Sequence, residues 1–181
     1  MDTADRFEYK FLLSLTQREA LLASLGDAMQ PDTQGGSDGR YPIVSLYYDS
    51  PDRRCYWDNW RGVPSRRKLR VRVYGSKDGA IAPTSFVEVK HKADGRGVKR
   101  RVQTTLTRAL ALAAGADDPG PWNPGEARTL AEVRRLVEHE EFRPACVMRY
   151  DRHAFFLHLP GQPPEEALRV TFDHEIGRAH V

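Results

Sequence analysis

The sequence predicts an α+β domain built on a mostly antiparallel sheet, from three kinds of pattern. Several short stretches alternate apolar with charged residues, the period of a half-buried strand. Two longer stretches repeat at helical period on either side of a proline-rich breaker. A short Gly-rich separator between two basic stretches marks a tight hairpin. A chain of 181 residues is enough for one such domain with a working core.

Taken in chain order, Phe7, Tyr9 and Phe11 alternate with Glu8 and Lys10, predicting a strand over residues 7–13. Thr16 and Glu19 have capping-box spacing, and Leu21, Leu22, Leu25 and Met29 share one face of the helix that follows. Residues 31–40 are loop chemistry. Residues 41–48 form a second strand, stopped by Asp49-Ser50-Pro51-Asp52. Residues 55–60, carrying Tyr56, Trp57 and Trp60, make a short helical or irregular crossing. Basic strands are expected over 68–74, 86–90 and 98–102, with residues 93–97 as the hairpin turn. Helices over 105–114 and 125–141 flank the breaker at Pro119–Pro124. Strand material follows over 143–159 and 167–173.

Charge is the most informative property. Residues 61–101 hold thirteen Lys and Arg against Asp78, Glu88 and Asp94, a net +10, so the remainder stands at −7 to reach +3 overall. Side chains alternate faces along a strand. Arg66, Lys68, Arg70 and Arg72 therefore oppose Leu69, Val71 and Val73, while Glu88, Lys90 and Lys92 oppose Val87 and Val89. Likewise Glu8 and Lys10 oppose Phe7, Tyr9 and Phe11, and Arg169 opposes Leu168 and Val170. Around Lys99 the alternation is blurred by Arg100. A solvated face normally mixes both signs; this one is dominated by cations and calls for an anion. Single-strand nucleic-acid readers interleave aromatic platforms with their charges, and the basic block has almost no aromatic besides Tyr74. There is no Walker-type glycine loop. Arg and Lys without stacking groups suit phosphate itself, so no nucleic-acid partner is expected.

Read together, seven segments resemble the VTC domain, the polyphosphate polymerase branch of the triphosphate tunnel (CYTH-like) superfamily. They begin at Phe7-Glu8-Tyr9-Lys10, Ser45-Leu46-Tyr47-Tyr48-Asp49, Arg67-Lys68-Leu69-Arg70-Val71-Arg72, Phe86-Val87-Glu88-Val89-Lys90, Val98-Lys99-Arg100-Arg101, Arg149-Tyr150-Asp151-Arg152 and Leu168-Arg169-Val170-Thr171-Phe172. The resemblance implies an antiparallel β-barrel tunnel with flanking helices, lined by basic residues. It implies transfer of the γ-phosphate of ATP onto a growing polyphosphate chain with a divalent metal, Mn2+ or Mg2+. It places Lys10, Arg70, Arg72, Lys90, Lys99, Arg152 and Arg169 on phosphate, with Arg70, Arg72 and Lys90 at the chemistry. Arg149 is the alternative to Arg152. Glu8 and Glu88 are the candidate metal carboxylates, though pairing with neighbouring cations is the simpler role for both.

Two departures matter. The triphosphatase and cyclase branch opens with Glu-x-Glu-x-Lys, whereas this chain has Arg6 before Glu8 and Lys10, which favours the polymerase branch. The family also continues past the segment at residue 173 into further strands, one with a metal-binding Glu. Residues 175–181 spell what the start of a common sequencing adapter encodes. The expectation is an incomplete domain over 1–174, missing its last strands, followed by a non-native tail over 175–181, the fragment possessing little activity. The alternatives to a polymerase are an inorganic triphosphatase and a non-catalytic polyphosphate or inositol-phosphate binding module. Cys55 and Cys146 are too few for a disulfide framework. No apolar run approaches bilayer length, and no signal-peptide core opens the chain, so a cytoplasmic protein is expected.

Overall fold

A computed structural model describes residues 8–76, 80–93, 96–163 and 166–181, apart from the side chains of Gly35 and Arg96. It contains four helices, α1 (Leu15–Leu25), α2 (Arg54–Trp60), α3 (Leu106–Ala113) and α4 (Pro124–Glu138), and seven strands. The strands are β1 (Met29–Pro31), β2 (Arg40–Asp49), β3 (Arg66–Gly75), β4 (Ile81–Ala93), β5 (Arg96–Thr104), β6 (Arg143–Leu157) and β7 (Leu168–His180). The architecture is the α+β one expected, with antiparallel β2–β3, β3–β4 and β4–β5 ladders. Hydrogen-bonded neighbours run in the order β1, β6, β2, β3, β4, β5, and β7 also pairs with β6. No helix among the described residues is long and apolar enough to cross a membrane.

The chain divides into two compact units, one within 1–40 and 153–172, the other within 41–152 and 173–181. In the larger, one sheet face carries Leu69, Val71, Val87, Val89 and Val102. These pack with Ala109, Leu112 and Ala113 of α3 and Leu130, Val133, Leu136 and Val137 of α4. Each fully buried aliphatic side chain of this kind contributes about 1.5–3 kcal/mol by leaving water. Both helices begin where their caps dictate. The Thr105 hydroxyl accepts from Arg108 N, and Asn123 with Glu126 closes a capping box with Pro124 in the first turn. The β4–β5 hairpin is as tight as its glycines predicted, Ala93 pairing with Arg96.

The smaller unit departs from expectation in three places. Residues 8–14 form no strand and are exposed, Tyr9 and Phe11 each at 79%. Alternation alone is not enough, because a strand needs a hydrogen-bonding partner, and none of the described strands pairs with this segment. Phe7 lies outside the described residues. The capping box is formed by Ser14 and Gln17 in place of Thr16 and Glu19, since Ser14 offers the same spacing two residues earlier. Met29 leaves the helix for β1, whose partner is the 155–157 end of β6. There Met29, Phe155, Leu157 and Phe172 form a small core that receives Leu22 and Leu25.

Candidate phosphate-binding face

The opposite face of β2–β5 carries the charges, and ladder register sets them in rows. Ser45, Arg72, Phe86 and Gln103 make one row; Tyr47, Arg70, Glu88 and Arg101 the next; Lys68, Lys90 and Lys99 the third. Arg66 and Lys92 follow. Among the described residues of β3–β5, this face therefore bears eight Lys and Arg and one carboxylate. Phe86 is buried beneath the Arg101 guanidinium, which sits 4.8 Å from its ring centroid, and Phe86 meets Tyr74 edge-on at 5.7 Å. The aromatics here floor the charged face instead of offering platforms.

The two arginines at the centre are held before any ligand arrives. Arg72, 7% exposed, donates from Nε to Ser45 Oγ and from Nη2 to the Tyr150 hydroxyl, both at 3.2 Å. Arg70 donates to Tyr47 Oη at 2.9 Å and to Glu88 Oε2 from Nε at 2.7 Å, with Nη2 at 2.5 Å. Glu88 is 1% exposed. Burial opposes its ionisation, but Arg70 above all, then Lys99 and Arg72, outweigh that and hold the carboxyl below its ordinary range. Lys99 Nζ lies 3.5 Å from Glu88 Oε1, an oxygen that is buried and accepts no hydrogen bond.

The lysine row is more open. Lys90 and Lys99 are exposed, and Lys68 reaches Asn59 Oδ1 of α2 at 3.3 Å. Burial lowers the Lys68 ammonium pKa, with the charges of Arg66 and Lys90 adding to it. Three lysines opposite one another in register repel.

The other candidates are placed as follows. Arg152 clamps Asp173 with two bonds of 2.7 and 2.8 Å and lies 5.4 Å from the Tyr150 ring, beside Arg72. Burial works against its charge, but the Asp173 hydrogen bonds hold it firmly protonated. Arg149 is exposed, 3.9 Å from Asp151. Lys10, Glu8 and Arg169 belong to the smaller unit. Lys10 lies 3.7 Å from Glu8, both exposed, and Arg169 bonds Asp32 at 2.6 Å.

Lys68 and Arg101 join the site without having been singled out from the sequence. Lys68 was legible from parity. Arg101 was hidden by Arg100, which points to the helix side, 3.4 Å from Glu132 of α4. His91 also turns that way, 2.6 Å from Glu132.

A divalent ion does not fit the described residues as a resident. No group of three or more His, Cys, Asp or Glu comes together among them. Glu88 Oε1 is one acceptor ringed by cations, and a hard dication needs several oxygens. An ion here would be held mainly by phosphate oxygens.

The VTC domain model matches residues 5–180. No curated protein matches the chain. Among solved structures, a similar one is described as a "putative adenylate cyclase" from Bacillus halodurans. It is 11% identical, covers 91% of this chain and 77% of its own, and has a TM-score of 0.44.

Proposed function

Since the chain belongs to the VTC domain family, we propose that its cationic face grips ATP and polyphosphate, and that the intact domain transfers the γ-phosphate of ATP to the end of the chain. The observation that supports this best is the in-register row Lys68, Lys90 and Lys99 beside the fixed Arg70 and Arg72. Phosphoryl transfer asks for alignment and for charge stabilisation on nonbridging oxygens more than for a protein nucleophile. Arg70 and Arg72 supply donors whose positions are set by Tyr47, Ser45 and Tyr150. The lysines supply mobile charge along which a phosphate chain can advance. Arg101 extends the donors across the sheet.

The family is of a metal-dependent type, and manganese or magnesium would neutralise phosphate oxygens. The protein's share is binding, alignment and fixed positive charge. Incubating the purified chain, and a form extended at its C-terminus, with ATP and manganese tests the reading. Long chains on a gel are expected. Free phosphate without chains would replace the polymerase by a triphosphatase. Tight polyphosphate binding with no turnover in either form would leave a binding module.

A further inference from the structure

The aromatic residues of α2 are not used by the phosphate face, yet they adjoin it. Tyr56 is 55% and Trp60 74% exposed, unusual for large rings on a seven-residue helix. Tyr56, Asn59 and Trp60 stand at i, i+3 and i+4, so they share one flank of the helix. Asn59 is the residue whose Oδ1 accepts from Lys68 Nζ. The Asn59 contact therefore brings this flank of α2 to the Lys68 end of the lysine row. Trp57 is turned to its neighbours, with edge contacts to Tyr56 at 5.0 Å and Trp60 at 6.2 Å and the Arg61 guanidinium 5.7 Å from its ring.

The helix is also clamped at its start. The Asp49 carboxylate accepts from Cys55 N at 2.8 Å and Tyr56 N at 3.3 Å, and Ser50 Oγ accepts from Arg54 N at 3.0 Å. Rings held on a fixed backbone lose little freedom when they bind.

We propose that Tyr56 and Trp60 form a stacking platform for the base of a nucleoside triphosphate whose phosphates lie along Lys68, Lys90 and Lys99. The proposal rests on the phosphate-binding reading above. It adds a feature that reading lacks: the platform favours a nucleotide over bare polyphosphate, as donor over product. Every nucleobase has a π-face, so the contact is tolerant of base identity and responds to whether a base is present.

The test compares ATP with inorganic tripolyphosphate by calorimetry at one salt concentration. Trp60→Ala is expected to weaken ATP about tenfold, the loss of one stacked base, while tripolyphosphate binds as before. The chain has three tryptophans; with Trp57→Phe and Trp122→Phe in place, ATP should quench Trp60 fluorescence and tripolyphosphate should not. Equal losses for both ligands, or no change for either, would overturn the platform and leave the phosphate face standing. Failure of tripolyphosphate to bind the unaltered protein would remove the phosphate reading itself, and the platform with it.

Discussion

The two faces of the β3–β5 sheet differ by one residue of parity and use the same side-chain types to opposite ends. On the helix side, Arg67 lies 3.2 Å from Glu140 and Arg100 lies 3.4 Å from Glu132. Arg54 and Arg135 also reach Glu140, at 3.3 and 3.4 Å. There, carboxylates from α4 and the turn after it meet the strand cations, and the charges join two layers. On the other face, among the described residues of β3–β5, eight cations share one carboxylate, Glu88. A basic strand is therefore structural or ligand-binding according to which side each residue faces, and composition cannot separate the two.

The strongest way to break this comparison is Glu88→Gln. It leaves the half-buried Arg70 beside a neutral amide at the buried Glu88 position, and removing one partner of a buried pair costs about 3–5 kcal/mol. The urea midpoint should fall accordingly, and tripolyphosphate should restore part of the loss. The pH sign follows from the lowered Glu88 pKa. Its contribution is fully present above the ordinary glutamate value and is lost as pH falls through the lower folded one. The difference between the two proteins should therefore vanish in acid. A constant difference down to about pH 2, well below the ordinary glutamate pKa of roughly 4.3, would show that the carboxylate charge is not what stabilises.

Next in size is Arg72→Ala, which removes a charge-assisted phosphate donor worth about 1.5–3 kcal/mol, roughly 10- to 150-fold in tripolyphosphate affinity. Arg67→Ala, on the helix side, should leave that affinity nearly unchanged. If both variants lost affinity alike, the faces would not be functionally distinct.

Much of this contrast was legible beforehand. Parity put Arg70, Arg72 and Lys90 opposite Val71, Val87 and Val89, and the sheet keeps that division because the valines alone can fill the core beneath α3 and α4. The hairpin at 93–97 was a local signal with a local cause. The misreadings came where the cause was nonlocal. Alternation over residues 7–13 promised a strand, but pairing depends on a partner elsewhere in the chain. Arg100 looked like a fault in the pattern until Glu132, from a helix 32 residues on, gave it a place on the core side. The Tyr47, Ser45 and Tyr150 hydroxyls that fix the arginines come from β2 and β6, where nothing in the sequence announces the contact.

A subtler contrast has opposite signs on the two sides. Lys92→Met removes one member of the like-charged pair it makes with Arg66 across β3 and β4, and relief of directly opposed charges is worth about 0.2–1 kcal/mol. Without ligand it should raise stability slightly while weakening tripolyphosphate. Arg100→Met removes a partner of Glu132 and should lower stability by a similar amount, with binding unaffected. Denaturant midpoints with and without tripolyphosphate measure both. A stability loss for Lys92→Met would mean that the pair is already neutralised within the protein.

The smallest expected effect concerns protons on Lys68. Burial, helped by Arg66 and Lys90, lowers its pKa below the ordinary lysine range, so in the free protein it begins to lose its proton earlier than an isolated lysine would. A bound polyanion favours the ammonium form. Between the lowered and the ordinary value, binding must therefore take up a proton, and affinity must decline as pH rises through that interval. Lys68→Arg keeps the charge at every accessible pH. Its tripolyphosphate affinity should stay flat where that of the unaltered protein falls. Lys99, more exposed and beside Glu88, is the control at the other end of the row: Lys99→Arg should leave the alkaline decline in place. If Lys68→Arg declined identically, phosphate would not be bound at the Lys68 end of the row, and the path along the three lysines would have to start at Lys90.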